Sequence, residues 1–308
     1  MSAVIRSWLI WTAGFLAFPF AGLAGTALAG RIDSPLAALT GGLITGAVIG
    51  AAQALCSSRR LDPRRWILAS AVGMDKAVMK KLFVDAGLPV GPYLEARRRD
   101  WDRDAATIRR RVHEELGYPV FVKPANLGSS VGISKAKSEA DLNTAMELAL
   151  QFDRKTVIEA GVPNAREIEC AVLGNDEPAA SLPGEVIPSR EFYDYEAKYL
   201  DNASKTVIPA SLSESETAEV RRMAIEAFRA VDGSGMARVD FFLSRDTGKL
   251  FVNEVNTIPG FTTISMYPQM WEASGLPYPD LLDRLIQLAI ERHSQKQQLR
   301  TSITDERR

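Results

Sequence analysis

Charge is absent from two long stretches near the start of the chain. These uncharged runs, residues 7–30 and 34–58, are separated only by a short segment that carries Arg31 and Asp33. A helix needs about 20 apolar residues to cross the hydrocarbon layer of a bilayer, and each run is long enough. Residues 1–58 are therefore predicted to form two transmembrane helices.

Arginines flank the two runs. Arg6 precedes the first run, and four arginines follow the second in a basic linker, residues 59–66. Because cytoplasmic flanks of membrane helices carry an excess of basic residues, we expect the rest of the chain in the cytoplasm, tethered to the inner face of the membrane. Two alternatives stay open. The stretch up to Ala27-Leu28-Ala29 resembles a cleavable signal peptide, and the segment could instead be a buried helical hairpin of a soluble protein.

The overall charge is close to neutral, with 37 basic and 38 acidic residues, so no nucleic-acid partner is predicted.

Cys56 and Cys170 are far apart and have no metal-ligand spacing. A disulfide framework is therefore not expected. We expect instead that the chain resides in a reducing compartment. Cys170 is interpreted as a small buried strand residue.

After the linker, the hydrophobic pattern changes to that of an α/β protein. Apolar residues at helical spacing, followed by Gly87 as a C-cap, predict a helix over residues 74–86. Ser213 and Glu216 form a capping box for a helix that runs through Val231. The other predicted elements are helices over 97–112 and 142–152, and strands over 118–124, 156–161, 168–173, 236–244 and 250–256.

The last two strands form a predicted hairpin that carries acidic and amide side chains. Because strand side chains alternate, Arg238 and Asp240 share one face, as do Glu254 and Asn256. If the two faces coincide, three oxygen ligands of the kind that magnesium prefers converge near an arginine. A Pro259-Gly260 turn follows them. The pattern predicts a magnesium site beside bound phosphates.

A second chemical motif follows the strand that ends in Lys123. The loop of residues 126–132 is rich in small residues and includes Ser129 and Ser130. Backbone N–H groups and hydroxyls of such a loop can cover a polyphosphate. With a lysine six residues upstream of Ser129, the phosphate interpretation is favoured over a simple chain reversal.

Six sequence blocks now point to a known family. They are Met74-Asp75-Lys76, Val122-Lys123-Pro124, Gly128-Ser129-Ser130-Val131-Gly132, Phe192-Tyr193-Asp194-Tyr195-Glu196-Ala197-Lys198-Tyr199, Arg238-Val239-Asp240 and Glu254-Val255-Asn256-Thr257-Ile258-Pro259-Gly260. In this order they resemble D-alanine-D-alanine ligase of the ATP-grasp superfamily. The resemblance implies an α/β (α+β) ATP-grasp fold over residues 67–292, in which two subdomains sandwich ATP.

The resemblance also implies domain boundaries. A first subdomain covers 67–162 and a catalytic subdomain covers 163–292, with a closing loop at 190–202. Residues 293–308 are expected to be a polar tail.

Roles in nucleotide and metal binding follow from the resemblance. ATP and two Mg²⁺ ions, with Mn²⁺ as a substitute, are the implied cofactors. The implied ligands are Lys76 and Lys123 for the α- and β-phosphates, Ser130 in the phosphate loop, Lys198 for the γ-phosphate, Glu159 and the backbone of Ala160 to Val162 for adenine, Glu167 for the ribose, and Asp240, Glu254 and Asn256 for the metals.

Roles in substrate binding are implied in the same way. In such ligases a first D-alanine is phosphorylated to an acyl phosphate, which the amine of a second D-alanine attacks. The residues expected to act on these substrates are Ser129 and Tyr199 for the first D-alanine, Arg238 and the N–H of Gly260 for the oxyanion, and Ser265 and Met266 for the second carboxylate.

One departure from the family pattern leaves alternatives. Family members ordinarily begin with a Rossmann-like domain that supplies an acid to the first D-alanine site, and nothing before Ile67 matches it. The leading hypothesis is synthesis of D-alanyl-D-alanine for peptidoglycan by a chain that is associated with the membrane through residues 7–58 and could form a homodimer. The alternatives are a carboxylate-amine ligase with another substrate and a non-catalytic nucleotide-binding membrane protein.

Overall fold

The computed structural model describes residues 75–128, 130–187, 205–262 and 265–299. The two predicted membrane spans and the basic linker lie outside these residues. Among the residues described, no helix is both long enough and apolar enough to span a bilayer.

The first half of this region builds a four-stranded antiparallel sheet. Its strands are β1 (Tyr93–Arg97), β2 (Val120–Pro124), β3 (Ser134–Ala136) and β4 (Lys155–Ala160), in the spatial order β1-β4-β2-β3. The helices that accompany it are α1 (Lys76–Asp85), α2 (Arg98–Arg111), a π-helical turn (Val112–Leu116) and α3 (Glu139–Phe152).

The two faces of this first sheet differ. Val120, Val122 and Ile158 point to one face, where they pack with apolar residues of α3 such as Leu142 and Met146. Strand residues of the opposite parity point the other way, because side chains alternate along a strand. That second face carries Lys123 and Glu159.

The second half builds an antiparallel sheet around a long central strand. Its strands are β5 (Ala165–Gly174), β6 (Ala179–Ala180), β7 (Gly184–Ile187), β8 (Lys205–Val207), β9 (Gly235–Ser244) and β10 (Leu250–Asn256). Their order is β10-β9-β5-β7-β8, and β6 pairs with β5. The helices of this half are α4 (Glu214–Ala230), α5 (Met266–Ala273) and α6 (Tyr278–Gln298). Residues 293–298, predicted as part of a tail, thus continue α6.

Apolar residues pack against both faces of the second sheet. On one face, Ile168, Cys170 and Val172 of β5 pack with α4 and with Met79 and Phe83 of α1. On the other face, the apolar cluster is confined to one end of β5, where Ala171 and Leu173 meet the buried side chains of α5 and α6, including Tyr267, Met270 and Leu281. The remainder of that face carries the charged residues Glu167, Glu169, Arg238 and Asp240 together with Phe242.

Local sequence signals of the predicted helices are confirmed. Gly87 has a φ of +74°, the left-handed conformation expected after a helix. The Ser213 side chain accepts a hydrogen bond from Glu216 N, and the Glu216 carboxylate accepts one from Ser213 N, which completes the capping box. The predicted helix of residues 97–112 is broken at Asp104, whose carboxylate accepts from Thr107 N and so caps the second half.

Candidate active site

One face of the second sheet carries four acidic side chains, Glu167, Glu169, Asp240 and Glu254, which together we call the acidic surface. Asp240 of β9 pairs directly with Glu254 of β10, and Arg238 pairs with Asn256. On the other side of β9, Glu169 of β5 pairs with Asp240. Side chains of directly opposed residues point to the same face of an antiparallel sheet. The face of β9 that carries Arg238 and Asp240 is therefore the same sheet face that carries Glu254 and Asn256 of β10.

A β-bulge at Asn253 makes this coincidence occur. Val252 pairs with Phe241 and Glu254 pairs with Asp240, so Asn253 is an extra residue in β10. In a regular strand, Val252 and Glu254 would share a face, because they are two residues apart. The bulge instead puts Val252 and Val255 together in the hydrophobic core. Glu254 is thereby turned to the acidic surface.

Arg238 neutralises part of this surface. Its guanidinium donates two hydrogen bonds of 2.7 Å to the two carboxylate oxygens of Asp240, and its Nε lies 3.2 Å from Glu169 Oε2. Burial alone would lower the pKa of Arg238, but the negative charges of Asp240 and Glu169 outweigh it and the pKa lies well above its ordinary value. The arginine therefore stays charged and holds Asp240 in place.

Two buried lysines share one carboxylate on the first sheet. Lys123 Nζ lies 2.9 Å from Glu159 Oε2, and Lys80 Nζ lies 3.4 Å from Glu159 Oε1. Burial would raise the pKa of Glu159, but the two ammonium groups hold it at about 2. Lys123 Nζ also donates to Asn253 Oδ1 at 3.3 Å, which joins this group to the bulge of β10.

The charge of Lys123 is sustained from both sheets. Burial lowers its pKa, yet the charges of Glu159 and Glu254 act more strongly and the net result is a raised pKa. Lys123 is therefore an ammonium at neutral pH.

The start of α1 contributes a second predicted lysine. Asp75 caps α1 by accepting hydrogen bonds from Ala77 N and Val78 N, and its other carboxylate oxygen is paired with Lys155. Lys76 is buried and donates from Nζ to the carbonyl of Leu127 in the phosphate loop. This contact places Lys76 next to the loop that follows Lys123.

The phosphate loop itself has a constrained backbone. Ser130 has a φ of +59° and Gly132 a φ of +71°. A Cβ at Gly132 would lie 2.6 Å from Cδ2 of Phe152, so only glycine fits there without a shift. Asn126 anchors the loop by donating from its backbone N and from Nδ2 to Asp153, at 2.9 and 2.7 Å.

The segment after β10 is held by aromatic and hydroxyl contacts. The Phe261 ring lies 5.7 Å from Tyr267 and 5.6 Å from Tyr278. Ser265 Oγ accepts from Thr262 N at 3.0 Å, and a Cβ at Gly260 would lie 2.9 Å from the same Oγ. Gly260 and Ser265 are thus neighbours in space.

The surroundings of two predicted residues limit which of their groups a ligand could contact. The Met266 side chain is buried in the core with Tyr267 and Met270, so its backbone N–H, and not its side chain, is the group that a substrate carboxylate could contact. The Glu159 carboxylate is occupied by two lysines. Adenine recognition would therefore depend on the chain after it, where Ala160 and Val162 are half-buried.

The remaining predicted residues divide into two groups. Glu167 lies on the acidic face of β5, one alternation before Glu169. Ser129, Lys198 and Tyr199 lie outside the described residues, and their roles stay predictions.

Three residues near the site were missed by the sequence analysis. Lys80 follows Lys76 by one helical turn, so its position on the same face was predictable. Glu169 follows Glu167 on the same strand face. Asn253 could have been noticed because the apolar residues Val252 and Val255 are three apart, which breaks strand alternation.

The donor set of the acidic surface suits magnesium. Asp240 and Glu254 offer carboxylate oxygens and Asn256 an amide oxygen, and hard divalent cations prefer oxygen ligands. Asn256 Oδ1 accepts from Ile258 N at 3.2 Å, which orients the amide and leaves the oxygen a second lone pair. Within the described part of the chain, no three His, Cys, Asp or Glu side chains form a metal cage. Residues from β9 and β10 would hold the ion together with phosphate oxygens.

Comparisons with known proteins agree with this geometry. The family model described as D-ala D-ala ligase C-terminus matches residues 82–287. The D-alanine--D-alanine ligase of Heliobacterium modesticaldum is 53% identical over 231 residues, which is 75% of this chain and 63% of the relative. That of Geobacillus kaustophilus is 52% identical over 242 residues, or 79% of this chain and 65% of the relative.

Solved structures give the same result. The D-alanine-D-alanine ligase from Coxiella burnetii has a TM-score of 0.65 and 43% identity, and the match covers 74% of this chain and 60% of that one. The VanG D-Ala:D-Ser ligase from Enterococcus faecalis has a TM-score of 0.64 and 38% identity, covering 72% and 63%. The chain thus spans 60–65% of the length of these relatives. The predicted α/β fold of the ATP-grasp kind is confirmed, and the chain belongs to the D-ala D-ala ligase C-terminus family.

Proposed function

We propose that this chain catalyses the ATP-dependent ligation of two D-alanines to D-alanyl-D-alanine, a precursor for peptidoglycan. The observation that carries the proposal is the paired set of Asp240 with Glu254 and Arg238 with Asn256, on one sheet face linked to the buried Lys123 through Asn253. Relatives over 50% identical carry the name of this ligase.

The chemistry requires activation of a carboxylate. An amine cannot displace oxide from a carboxylate, so ATP supplies a phosphoryl group that converts the oxygen into a leaving group. Magnesium ions, two by the family resemblance, would neutralise the charge of the phosphates and hold them in line.

The chain's own residues divide this work between the two sheets. Lys123 and Lys76 approach the phosphates from the first sheet and the start of α1, while Asp240, Glu254 and Asn256 approach from the second. The burial of the two lysines strengthens their interactions, because the effective dielectric constant there is lower than in water. The ribose would bind at Glu167, beside this surface.

Formation of the peptide bond places negative charge on a tetrahedral oxygen. Arg238, already fixed by Asp240, can donate to that oxygen, and the N–H of Gly260 lies in the segment that leads to the second substrate site. Ser265 and the N–H of Met266 at the start of α5 would bind the carboxylate of the second D-alanine, since a helix N-terminus favours negative charge. Ser129 and Tyr199 would orient the first D-alanine, and Lys198 would reach the γ-phosphate as the loop of residues 190–202 closes.

A second candidate substrate has a specific basis. The similarity to a D-Ala:D-Ser ligase, at 38% identity, shows that this fold also serves another amino-acid acceptor. A carboxylate-amine ligase with a different second substrate is therefore the alternative.

We also keep the proposal that residues 1–58 tether the catalytic region to the inner face of the membrane.

Phosphate release from ATP tests the function. The full chain, purified in detergent, is incubated with Mg²⁺, ATP and D-alanine, L-alanine, D-serine, D-lactate or no acceptor. Release that depends on D-alanine, with the dipeptide detected by mass spectrometry, supports the proposal. Release that requires both D-alanine and D-serine supports the alternative. ATP binding without release under any condition contradicts both.

A further inference from the structure

Lys80 is a buried cation close to the candidate phosphate site. Its side chain is 3% exposed, its Nζ lies 3.4 Å from Glu159 Oε1, and it lies 5.7 Å from the centre of the Tyr93 ring. Full burial of a lysine is costly unless a counter-charge compensates it. The position therefore calls for an explanation beyond packing.

The charge balance of the buried group supplies one. Glu159 is bound by two ammonium groups, Lys80 and Lys123, and a single carboxylate cannot neutralise both. Lys123 also donates to the neutral amide of Asn253. Glu254 of the second sheet is a further carboxylate that acts on both lysines. The Lys123 ammonium is therefore shared between carboxylates and is not held by Glu159 alone.

We propose that Lys80 is a positioning residue: by sharing Glu159 with Lys123, it keeps the Lys123 ammonium available to the phosphates of a bound nucleotide. The proposal rests on the proposed function, because it assumes that Lys123 binds those phosphates. Without Lys80, Glu159 and Lys123 form a neutral pair. A phosphate then has to compete with Glu159 for the same ammonium.

Binding of ATP measures this effect directly. Isothermal titration calorimetry is done on the full chain in detergent with Mg²⁺ and ATP, for the wild type, Lys80→Met and Lys81→Met. Lys81 is the matched control, since it is 61% exposed and pairs with Glu95 at 2.7 Å. We expect affinity about tenfold weaker for Lys80→Met and within about twofold of wild type for Lys81→Met.

A double variant separates positioning from packing. In Lys80→Met/Glu159→Gln no carboxylate at position 159 competes with a phosphate for Lys123, so ATP affinity should return to within about threefold of wild type. If Lys80 only fills space, the double variant should bind ATP no better than Lys80→Met. Without nucleotide, Glu159→Gln alone leaves two unpaired ammonium groups, so its unfolding temperature should lie below that of the double variant.

The outcomes distinguish the inference from the function on which it rests. No Mg²⁺-dependent ATP binding by the wild type would overturn both. Wild-type binding that is matched by Lys80→Met overturns the role of Lys80 alone. If Lys80→Met does not fold, Lys80→Arg and Lys80→Gln replace it. Tighter ATP binding by the arginine variant then supports the proposal, and equal binding overturns it.

Discussion

Asp240 and Glu254 face each other as a directly paired couple across β9 and β10, and the couple exists because Asn253 bulges out of β10. Two like charges at directly opposed positions repel and destabilise a strand pair. Arg238 offsets this repulsion by binding Asp240 through both oxygens. A bound cation would do the same from the other side, which links metal binding to the stability of the hairpin.

Asp240→Asn should therefore weaken Mg²⁺-dependent ATP binding by at least about 100-fold. Loss of a residue that only supports a metal ligand costs about 10–100-fold, and the loss of a ligand itself should cost more. The amide keeps the shape of the side chain but removes the charge that a divalent cation needs. Asp246→Asn, in the turn of the same hairpin, is the control and should bind ATP as the wild type does. Calorimetry with and without Mg²⁺ measures both. Equal affinity in the two variants would exclude Asp240 as a ligand.

Gly132→Ala should damage the phosphate loop more than the same change at Gly248 damages its turn. Both glycines have positive φ, which costs alanine about 1 kcal/mol. Only at Gly132 would the new Cβ also overlap Phe152 and Pro124, at 2.6 and 2.9 Å, whereas at Gly248 nothing lies within 4 Å. Overpacking adds about 1–3 kcal/mol.

Urea unfolding of the two glycine variants gives the stabilities, and ATP titration shows whether the loop is affected. Comparable losses of stability would contradict the overlap argument.

Arg166→Met should reduce the free energy of unfolding by about 3 kcal/mol, because it leaves the buried Glu185 without its main partner. Arg166 binds Glu185 through two hydrogen bonds, at 2.8 and 2.6 Å, and both side chains are largely buried. Arg222→Met is the matched change at the surface, where the arginine binds Glu219 and Glu226.

The exposed pairs of Arg222 should contribute less than about 1 kcal/mol. Denaturant titration of both variants makes the comparison, and a larger loss at Arg222 would contradict it.

Acid should remove the contribution of Glu159 to stability. Its pKa is about 2 in the folded chain, below the ordinary value of 4.5, so the charged form is stabilised by folding. The contribution is fully present above about pH 5 and disappears as the pH falls towards 2. The difference in unfolding free energy between wild type and Glu159→Gln should therefore shrink over this interval. A difference that is constant from pH 5 to pH 2 would show that folding does not lower the pKa of Glu159.

Sequence patterns predicted most of this architecture because the relevant signals are local. The capping box at Ser213, the glycine after α1 and the hairpin strands are each set by a few neighbouring residues, and the structure confirms them. The break in α2 was not predicted, since Asp104 can either continue a helix or cap one, and packing decides between them.

The site was predicted less completely, for a physical reason. Motifs identify residues that meet a ligand, but Lys80 and Asn253 act on other protein groups. Their importance depends on which strands lie next to each other in space. The pairing of β9 with β10 was inferable from the hairpin, whereas the contact of Lys123 with Asn253 joins positions 130 residues apart. No local pattern encodes that approach.

Along β9, side chains of the core alternate with side chains of the acidic surface, with Val239 between Arg238 and Asp240. A substitution that changes the side-chain volume at Val239 would shift the backbone of β9. The side chains of Arg238 and Asp240, which are attached to the same stretch of backbone, would then change direction. Substitutions in the hydrophobic core beneath this strand should therefore change the affinity for ions before they unfold the protein. The change should be measurable at temperatures at which circular dichroism still shows the folded chain.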